Sequence, residues 1–581
     1  MNRAEKRRQR KLAEKASKKA RPGQETIPSP EQQTLIIQQS LALAVQHHNE
    51  GRLPEAESIL QQILQVDPNQ PVALHLLGLI AHQAGKNDTA VDLITKALTI
   101  QPDYAEAHGN LGNMFKELGK LDEAVASYQK ALAIKPDNAG AHYNLGLALQ
   151  ELGQFNEAVD HYRKVTDINP DHAEAHNNIG NAFNDLGCLD EAVASYHKAL
   201  AANPDYAEAH CNLGTVLQLL GRKNEAVAHY HKALAIKPDL PEAHINFAIA
   251  LNKCGHRSEA LDLFKSGLEL VRGDNPIDPM HKSFQFITKV KMNHDIEQFR
   301  YLASLGHETE HFQAFAKIYE SVDEEIDWPN DDRISIPLSD DHRQRLSDTY
   351  NRPIHLLEAP EVIGSTLCGS LDVEKITADY FAHTSGMTYF DDLLSPVALA
   401  SLHRFLLGST IWFDFSKGGY LCARMREGFS CPLIFQIADD LRQTFPDIFK
   451  DHQLNQLWAY KYDSSHTGIG VHADSAAINV NFWITPDTAN LNPASGGIVV
   501  HDFEAPIDWT FKVYNPGSAN SKHVRKYLAD QDSGKIVVPY GENRIVLFNS
   551  NLFHETDSIY FKPGYENRRI NVTMLFGRRE G

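Results

Sequence analysis

Residues 105–138 read AEAHGNLGNMFKELGKLDEAVASYQKALAIKPDN, and residues 139–172 restate the pattern as AGAHYNLGLALQELGQFNEAVDHYRKVTDINPDH. The same spacing extends over 35–271. Pro68, Pro102, Pro136, Pro170, Pro204 and Pro238 recur with it, as do Gly51, Gly85, Gly119, Gly153, Gly187, Gly221 and Gly255. Small residues (Ala44, Gly78, Gly112, Gly146, Gly180, Gly214, Ala248) keep the period too. So do large ones (Leu60, Ile94, Tyr128, Tyr162, Tyr196, Tyr230, Phe264). Each unit reads as two helices. Gly119 and its equivalents break the chain between them, and Pro136 and its equivalents start the next unit. Gly112 permits close helix approach, with Tyr128 and Ala131 packed against it. Seven units result, the seventh without its closing Pro.

A fixed period of this length resembles the tetratricopeptide repeat, which implies stacked helix pairs in a right-handed solenoid with a concave groove. His108, His142, His176, His210 and His244 lie one turn before the small packing residue, so they are expected to be structural. Asn110, Asn144, Asn178, Asn212 and Asn246 lie round the helix from them. A similar Asn ladder grips peptide main chain in the solenoid of O-linked N-acetylglucosamine transferase. The resemblance therefore implies a protein or peptide partner in the groove, because an amide both donates to and accepts from a peptide bond. A solvated repeat residue is the alternative.

Beyond the repeats, residues 272–384 lose the period and read as a helical connector, mostly helix to about 350. His307-Glu308-Thr309-Glu310-His311 matches the zinc-protease pattern, but it opens a helix instead of sitting inside an apolar one, so polar helix-start residues are expected there. From 385 the pattern changes to short β-rich runs at 456–462, 476–484, 497–501, 535–538, 544–549 and 569–576, separated by polar turns. Within them, Val471-His472-Ala473-Asp474 reads as the start of a strand. On a strand, i and i+2 share a face, so His472 and Asp474 would offer an imidazole and a carboxylate to one point. Asn551-Leu552-Phe553-His554-Glu555-Thr556 supplies a second His after an apolar strand, and Arg568-Arg569 opens the last strand.

That order of His-x-Asp, Gly-containing turn, apolar strand, His and then Arg resembles the Fe(II)/2-oxoglutarate-dependent dioxygenases over 385–581. The resemblance implies a double-stranded β-helix, or jelly roll, with His472, Asp474 and His554 holding Fe(II) and leaving positions for 2-oxoglutarate and O₂. Its activity would be oxidative decarboxylation to succinate and CO₂ coupled to hydroxylation, with ascorbate as an optional reductant. The family's Arg anchor matches Arg569, because Arg569, Asn571 and Thr573 share one strand face; Arg568 is the reserve. Asn571 departs from the family's small residue. Tyr462 occupies the place of a co-substrate Tyr, with Tyr460 on the same face. Asn479 and Asn481 either orient a ligand or are satisfied sheet residues. Animal prolyl and aspartyl/asparaginyl hydroxylases also join tetratricopeptide segments to oxygenase domains. The alternatives are a non-catalytic scaffold with a degenerate jelly roll and a small-molecule oxygenase.

Composition limits the partners. The chain of 581 residues carries a net charge of −19, while residues 1–21 hold ten Lys/Arg against two Glu. An acidic body disfavours nucleic acid, and only the basic tail (1–34, with the composition of a disordered segment) is suited to RNA, DNA or an acidic partner. No apolar run approaches a membrane span. The six Cys are scattered, which fits reduced thiols in a cytoplasmic protein.

Overall fold

The computed structural model describes residues 30–306, 308–415, 419–463, 468–509, 511–515, 522–531 and 533–579. The basic tail to residue 29 and His307 lie outside them. The chain divides into two compact units, Met1–Pro204 and Asp205–Gly581. The cut falls inside the repeats, so the repeat array does not form one unit.

In the first unit the described residues form helix pairs from Pro30–Asn49 and Leu53–Val66 to Ala173–Asp185 and Leu189–Ala202. The glycine between paired helices adopts the left-handed conformation, as at Gly119 (φ +70°), which a side chain would strain. The packing glycines work differently. A Cβ on Gly146 would meet Tyr162 Cε1 at 2.6 Å, and one on Gly112 would meet Tyr128 Cε1 at 2.7 Å. Both tyrosines are fully buried, so the helices approach as closely as a ring lying on bare backbone allows.

The second unit begins with the two remaining repeat pairs, Ala207–Leu219 with Lys223–Ile236 and Pro241–Lys253 with Arg257–Arg272. A two-residue pairing of β1 (Phe286–Ile287) and β2 (Ile336–Pro337) and the helices Lys289–Ser304, Thr309–Glu325, Asp340–Leu346 and Val373–Ala382 fill the connector. The strands that follow are β3 (Met387–Phe390), β4 (Asp414–Phe415), β5 (Tyr420–Arg424), β6 (Leu454–Tyr462), β7 (Ile478–Trp483), β8 (Ile498–Glu504), β9 (Lys535–Val538), β10 (Ile545–Asn549), β11 (Leu552–Thr556) and β12 (Arg569–Phe576). They form a seven-stranded sheet ordered β3-β10-β7-β12-β6-β5-β4 and a three-stranded sheet ordered β11-β8-β9. All described pairings are antiparallel, and none closes either sheet into a barrel. Side chains of both sheets meet in one core, with Tyr462, Trp483 and Phe548 from the larger and Val500, Val538 and Leu552 from the smaller.

The connector is more than a link. Lys289–Ser304 buries polar residues as well as apolar ones, including Lys291, His294, Asp295 and Gln298. It lies against the back of β6. Lys461 Nζ donates to Tyr565 Oη at 2.8 Å, Gln298 Nε2 donates to the same oxygen at 2.8 Å, and that hydroxyl donates to Leu407 O at 2.7 Å. Because alternate residues of a strand face opposite ways, Lys461 points to the helix while Tyr460 and Tyr462 point to the space between the sheets.

Candidate functional site

His472, Asp474 and His554 converge, with one ligand atom from each lying within 4.8 Å of the others. His554 Nε2 is 3.4 Å from one carboxylate oxygen of Asp474, and His472 Nε2 is 3.9 Å from the other. The expectation that His472 and Asp474 sit on a strand is corrected. His472 makes only an isolated bridge to His554, through main-chain bonds of 2.9 and 2.7 Å, and Asp474 N donates to Ser550 O. Irregular backbone, not strand alternation, aims the pair.

Both imidazoles are oriented. His472 Nδ1 lies 2.8 Å from Gly470 O and His554 Nδ1 lies 3.1 Å from Leu552 O. A carbonyl accepts only, so each Nδ1 carries the proton and each Nε2 presents a lone pair, the tautomer a metal ligand needs. Burial, then neighbouring His554, pushes His472 down to about 4. Burial raises the Asp474 carboxyl, but the contacts with His554, His472 and Asn479 outweigh it and leave the group below its ordinary value.

A chain of buried amides runs from that carboxylate across the sheet. Asn479 donates to Asp474 Oδ2 at 2.7 Å and Asn481 donates to Asn479 Oδ1 at 2.6 Å. Asn571 and Thr573 both donate to Asn481 Oδ1, at 2.8 and 2.7 Å. Asn571 therefore has a definite place: its amide extends a network that a small apolar residue would end.

The far end carries positive charge. Arg569 is 2% exposed; its Nε donates to Gly496 O at 2.6 Å and one terminal nitrogen to Gly497 O at 3.2 Å. Its other terminal nitrogen is buried without an acceptor, as are the Tyr462 hydroxyl and the Trp483 indole nitrogen. The guanidinium carbon lies 4.8 Å from the Tyr462 ring and 5.6 Å from the Trp483 ring, so the three orphan donors are neighbours. Arg568 turns the other way, to Glu297 at 3.0 Å and Asp463 at 3.7 Å. Arg569, Tyr462, Trp483, Asn481, Asn571 and Thr573 line one cavity of about 550 Å³, together with His472, Asp474 and His554. Tyr460 lines it too, stacked edge-on against Tyr420.

Trp483, Gly497, Tyr420 and Arg424 were not foreseen as parts of this cavity. Trp483 was findable, since it continues the alternation of Asn479 and Asn481. Tyr420 and Arg424 carry no local signal, because only pairing with β6 turns β5 inward. Beside the metal-ligand candidates, Ala473 N donates to Tyr514 O at 3.0 Å and Asn515 Nδ2 donates to Ala473 O at 3.2 Å, which places Asn515 in the cavity lining.

In the repeats, the His ladder is structural. His108, His142, His176 and His244 each place Nε2 2.8–3.0 Å from the carbonyl of the proline six residues earlier. The Asn ladder is already engaged. Asn110 donates to His75, Asn144 to Asn113 and Asn178 to Tyr143, each in the preceding repeat; in the second unit Asn246 lies 3.3 Å from Thr215 Oγ1. In the zinc-protease-like stretch, Glu308 has φ +33° just before the helix Thr309–Glu325, and His311 is exposed beside Glu308.

Comparison with curated proteins returns no match. Family models described as TPR repeat match residues 112–153, 149–187 and 180–221, and models described as tetratricopeptide repeat match 41–105 and 207–240. Among solved structures, that of MamA is 30% identical, with 27% of this chain and 93% of that chain covered and a TM-score of 0.26. YrrB, described as a TPR protein with an unusual peptide-binding site, is 22% identical over 30% of this chain and 91% of its own, with a TM-score of 0.27. PilF of Pseudomonas aeruginosa is 16% identical over 36% and 96%, with a TM-score of 0.33. The periodic helix pairs of the N-terminal half are tetratricopeptide repeats.

Proposed function

We propose that the chain is an Fe(II)- and 2-oxoglutarate-dependent dioxygenase that hydroxylates a protein or peptide recruited by its repeats. One observation carries the reading: two Nε2 lone pairs and a carboxylate converge in a cavity whose far end holds Arg569 with an unsatisfied buried nitrogen. Two neutral imidazoles and one carboxylate suit Fe(II) and leave coordination positions open. A buried cationic fork beside two orphan donors suits a carboxylate. The residues present thus fit both the metal and a dicarboxylic 2-oxo acid. The two face-packed antiparallel sheets support the jelly-roll reading.

When bound, the metal would supply the oxidative decarboxylation of the 2-oxo acid and the transfer of oxygen to substrate. The chain's own residues supply position. Gly470 O and Leu552 O hold the imidazole tautomers, Asn479 fixes the Asp474 carboxylate, and Arg569 with Tyr462 and Trp483 grips the distal carboxylate. The aromatic lining of Tyr420, Tyr460 and Tyr462 limits water at the reacting centre. No described helix is long and apolar enough to cross a membrane, and the six cysteines are unpaired, which supports a reducing, cytoplasmic setting.

The test is succinate formation by full-length protein with Fe(II), ascorbate and 2-oxoglutarate, beside direct 2-oxoglutarate binding. Wild type should bind the co-substrate and release succinate, His472→Ala should lose turnover, and Arg569→Ala should lose binding. Metal-loaded wild type that neither binds 2-oxoglutarate nor makes succinate would overturn the reading and leave a tetratricopeptide interaction scaffold.

A further inference from the structure

The mouth of the cavity carries charge that the dioxygenase reading does not use. The chain as a whole is strongly acidic at −19. Yet the cavity lining contributes Arg424, Arg426 and Arg569 against Asp474 and Glu555. Asp474 belongs to the metal set. Glu555 is held by Arg525 at 2.6 Å and His501 at 3.6 Å. Arg569 is committed to the inner end. Arg424 and Arg426 remain, at the outer end.

Their placement is built. Arg424 stands opposite Trp458 on β6, Trp458 opposite Thr573 on β12, and Thr573 opposite Asn481 on β7. One row of side chains therefore leads from Arg424 to the amides that hold Asp474, three strand spacings or roughly 14 Å away. The Trp458 indole nitrogen in this row is buried without an acceptor. Asp414 pairs with Arg424 Nε at 2.7 Å, and the Arg424 side chain still keeps 55% of its surface exposed. Arg426 is exposed and makes no ion pair among the described residues. The acid of this turn, Glu427, is drawn away from the mouth by Arg272 at 3.1 Å, at the end of the seventh repeat. The first helix of that repeat also reaches the rim, where Lys253 Nζ donates at 3.1 Å to Asn455 of the cavity lining. The seventh repeat and the cavity thus share one rim, which suits a substrate that the repeats recruit.

Resting on the reading of this cavity as the oxygenase site, we infer that the substrate is a polypeptide carrying an acidic side chain close to the modified residue. That carboxylate sits against Arg424 and Arg426, with the Trp458 N–H as a further donor. A charge-assisted fork of this kind selects carboxylate over the neutral amide.

Fluorescence anisotropy on the metal-loaded full-length protein tests this without turnover. The probes are labelled twelve-residue Gly/Ser/Ala peptides with a central Glu-Glu, Gln-Gln or Lys-Lys pair. The acidic peptide should bind about ten-fold tighter than the neutral one despite the repulsive body, with the advantage shrinking as salt rises. Arg424→Gln with Arg426→Gln should abolish the preference while 2-oxoglutarate binding and the melting temperature hold. The milder Arg426→Gln alone should halve it or more, which covers misfolding of the double variant. Equal binding of acidic and neutral peptides, a preference untouched by the substitutions, or full displacement by equimolar free glutamate would overturn the inference. Acidic-peptide binding by metal-loaded protein that neither binds 2-oxoglutarate nor forms succinate would overturn the dioxygenase reading instead.

Discussion

At the residue scale, histidines do two kinds of work, separable by what each ring nitrogen meets. His472 and His554 point Nδ1 at carbonyls and turn Nε2 toward the Asp474 carboxylate. His75, fully buried, spends both nitrogens inside the repeats, with Nε2 2.9 Å from the Asn110 amide and Nδ1 3.0 Å from the Tyr104 hydroxyl. Protonation of Nε2 would set two donors against each other. Burial, then the charge on His48, pushes this group down to about 4 from 6.5. The unfolded chain then binds more protons than the folded one between those values. Stability from His75 is accordingly complete above pH 6.5 and lost as pH falls through 4, by about 3 kcal/mol. Urea unfolding followed from pH 7 to 4 should show this slope, and His75→Leu should flatten it; an unchanged slope would assign the acid sensitivity elsewhere. The same local logic chose Arg569 over Arg568. Strand alternation put Arg569 on the face of Asn571 and Thr573, and the structure directs Arg568 to Glu297.

At the element scale, the 3₁₀ turn Met425–Glu427 shows how the last repeat shapes the cavity rim. Arg272, 3% exposed, ends the helix Arg257–Arg272, bonds Glu427 and lies with its guanidinium carbon 4.4 Å from the centre of the Phe413 ring. Removing one partner of a buried pair leaves the other charge uncompensated, so Arg272→Ala should destabilise the second unit by about 3–5 kcal/mol. Chemical denaturation of Arg272→Ala beside Arg272→Met, which keeps an apolar stem without the guanidinium, separates lost charge from lost packing. A loss under about 1 kcal/mol in both would show the turn to be held by other contacts. Helix pairs within the repeats were readable because their packing is local: Gly146 and Tyr162 are 16 residues apart and recur with the period. The turn was not readable, because its partner lies 155 residues away.

At the scale of the whole molecule, the unit boundary at residue 204 divides the repeat array. The sixth and seventh repeats belong to the unit that holds the cavity. Phe264 stacks on Phe435 at 6.3 Å, Arg257 pairs with Asp439, and Arg578 donates to Leu219 O at 2.8 Å. A chain beginning at Asp205 should therefore melt cooperatively near the temperature of the full-length second unit. One beginning at Gly273 should melt about 10 °C lower or more, since it bares that apolar face. Equal melting of the two truncations, by calorimetry, would show the last repeats to be dispensable. The sequence alone determined what repeats and alternates. The 34-residue period followed because each helix pair must bury the same face against its neighbour. The strand positions and the Arg569 face followed because side chains alternate along a strand. Tertiary structure alone decided that His472 and Asp474 leave the strand, that ladder asparagines bond between repeats, and that two repeats join the cavity. Each of these depends on contacts between segments far apart in the chain, and no local periodicity encodes such contacts.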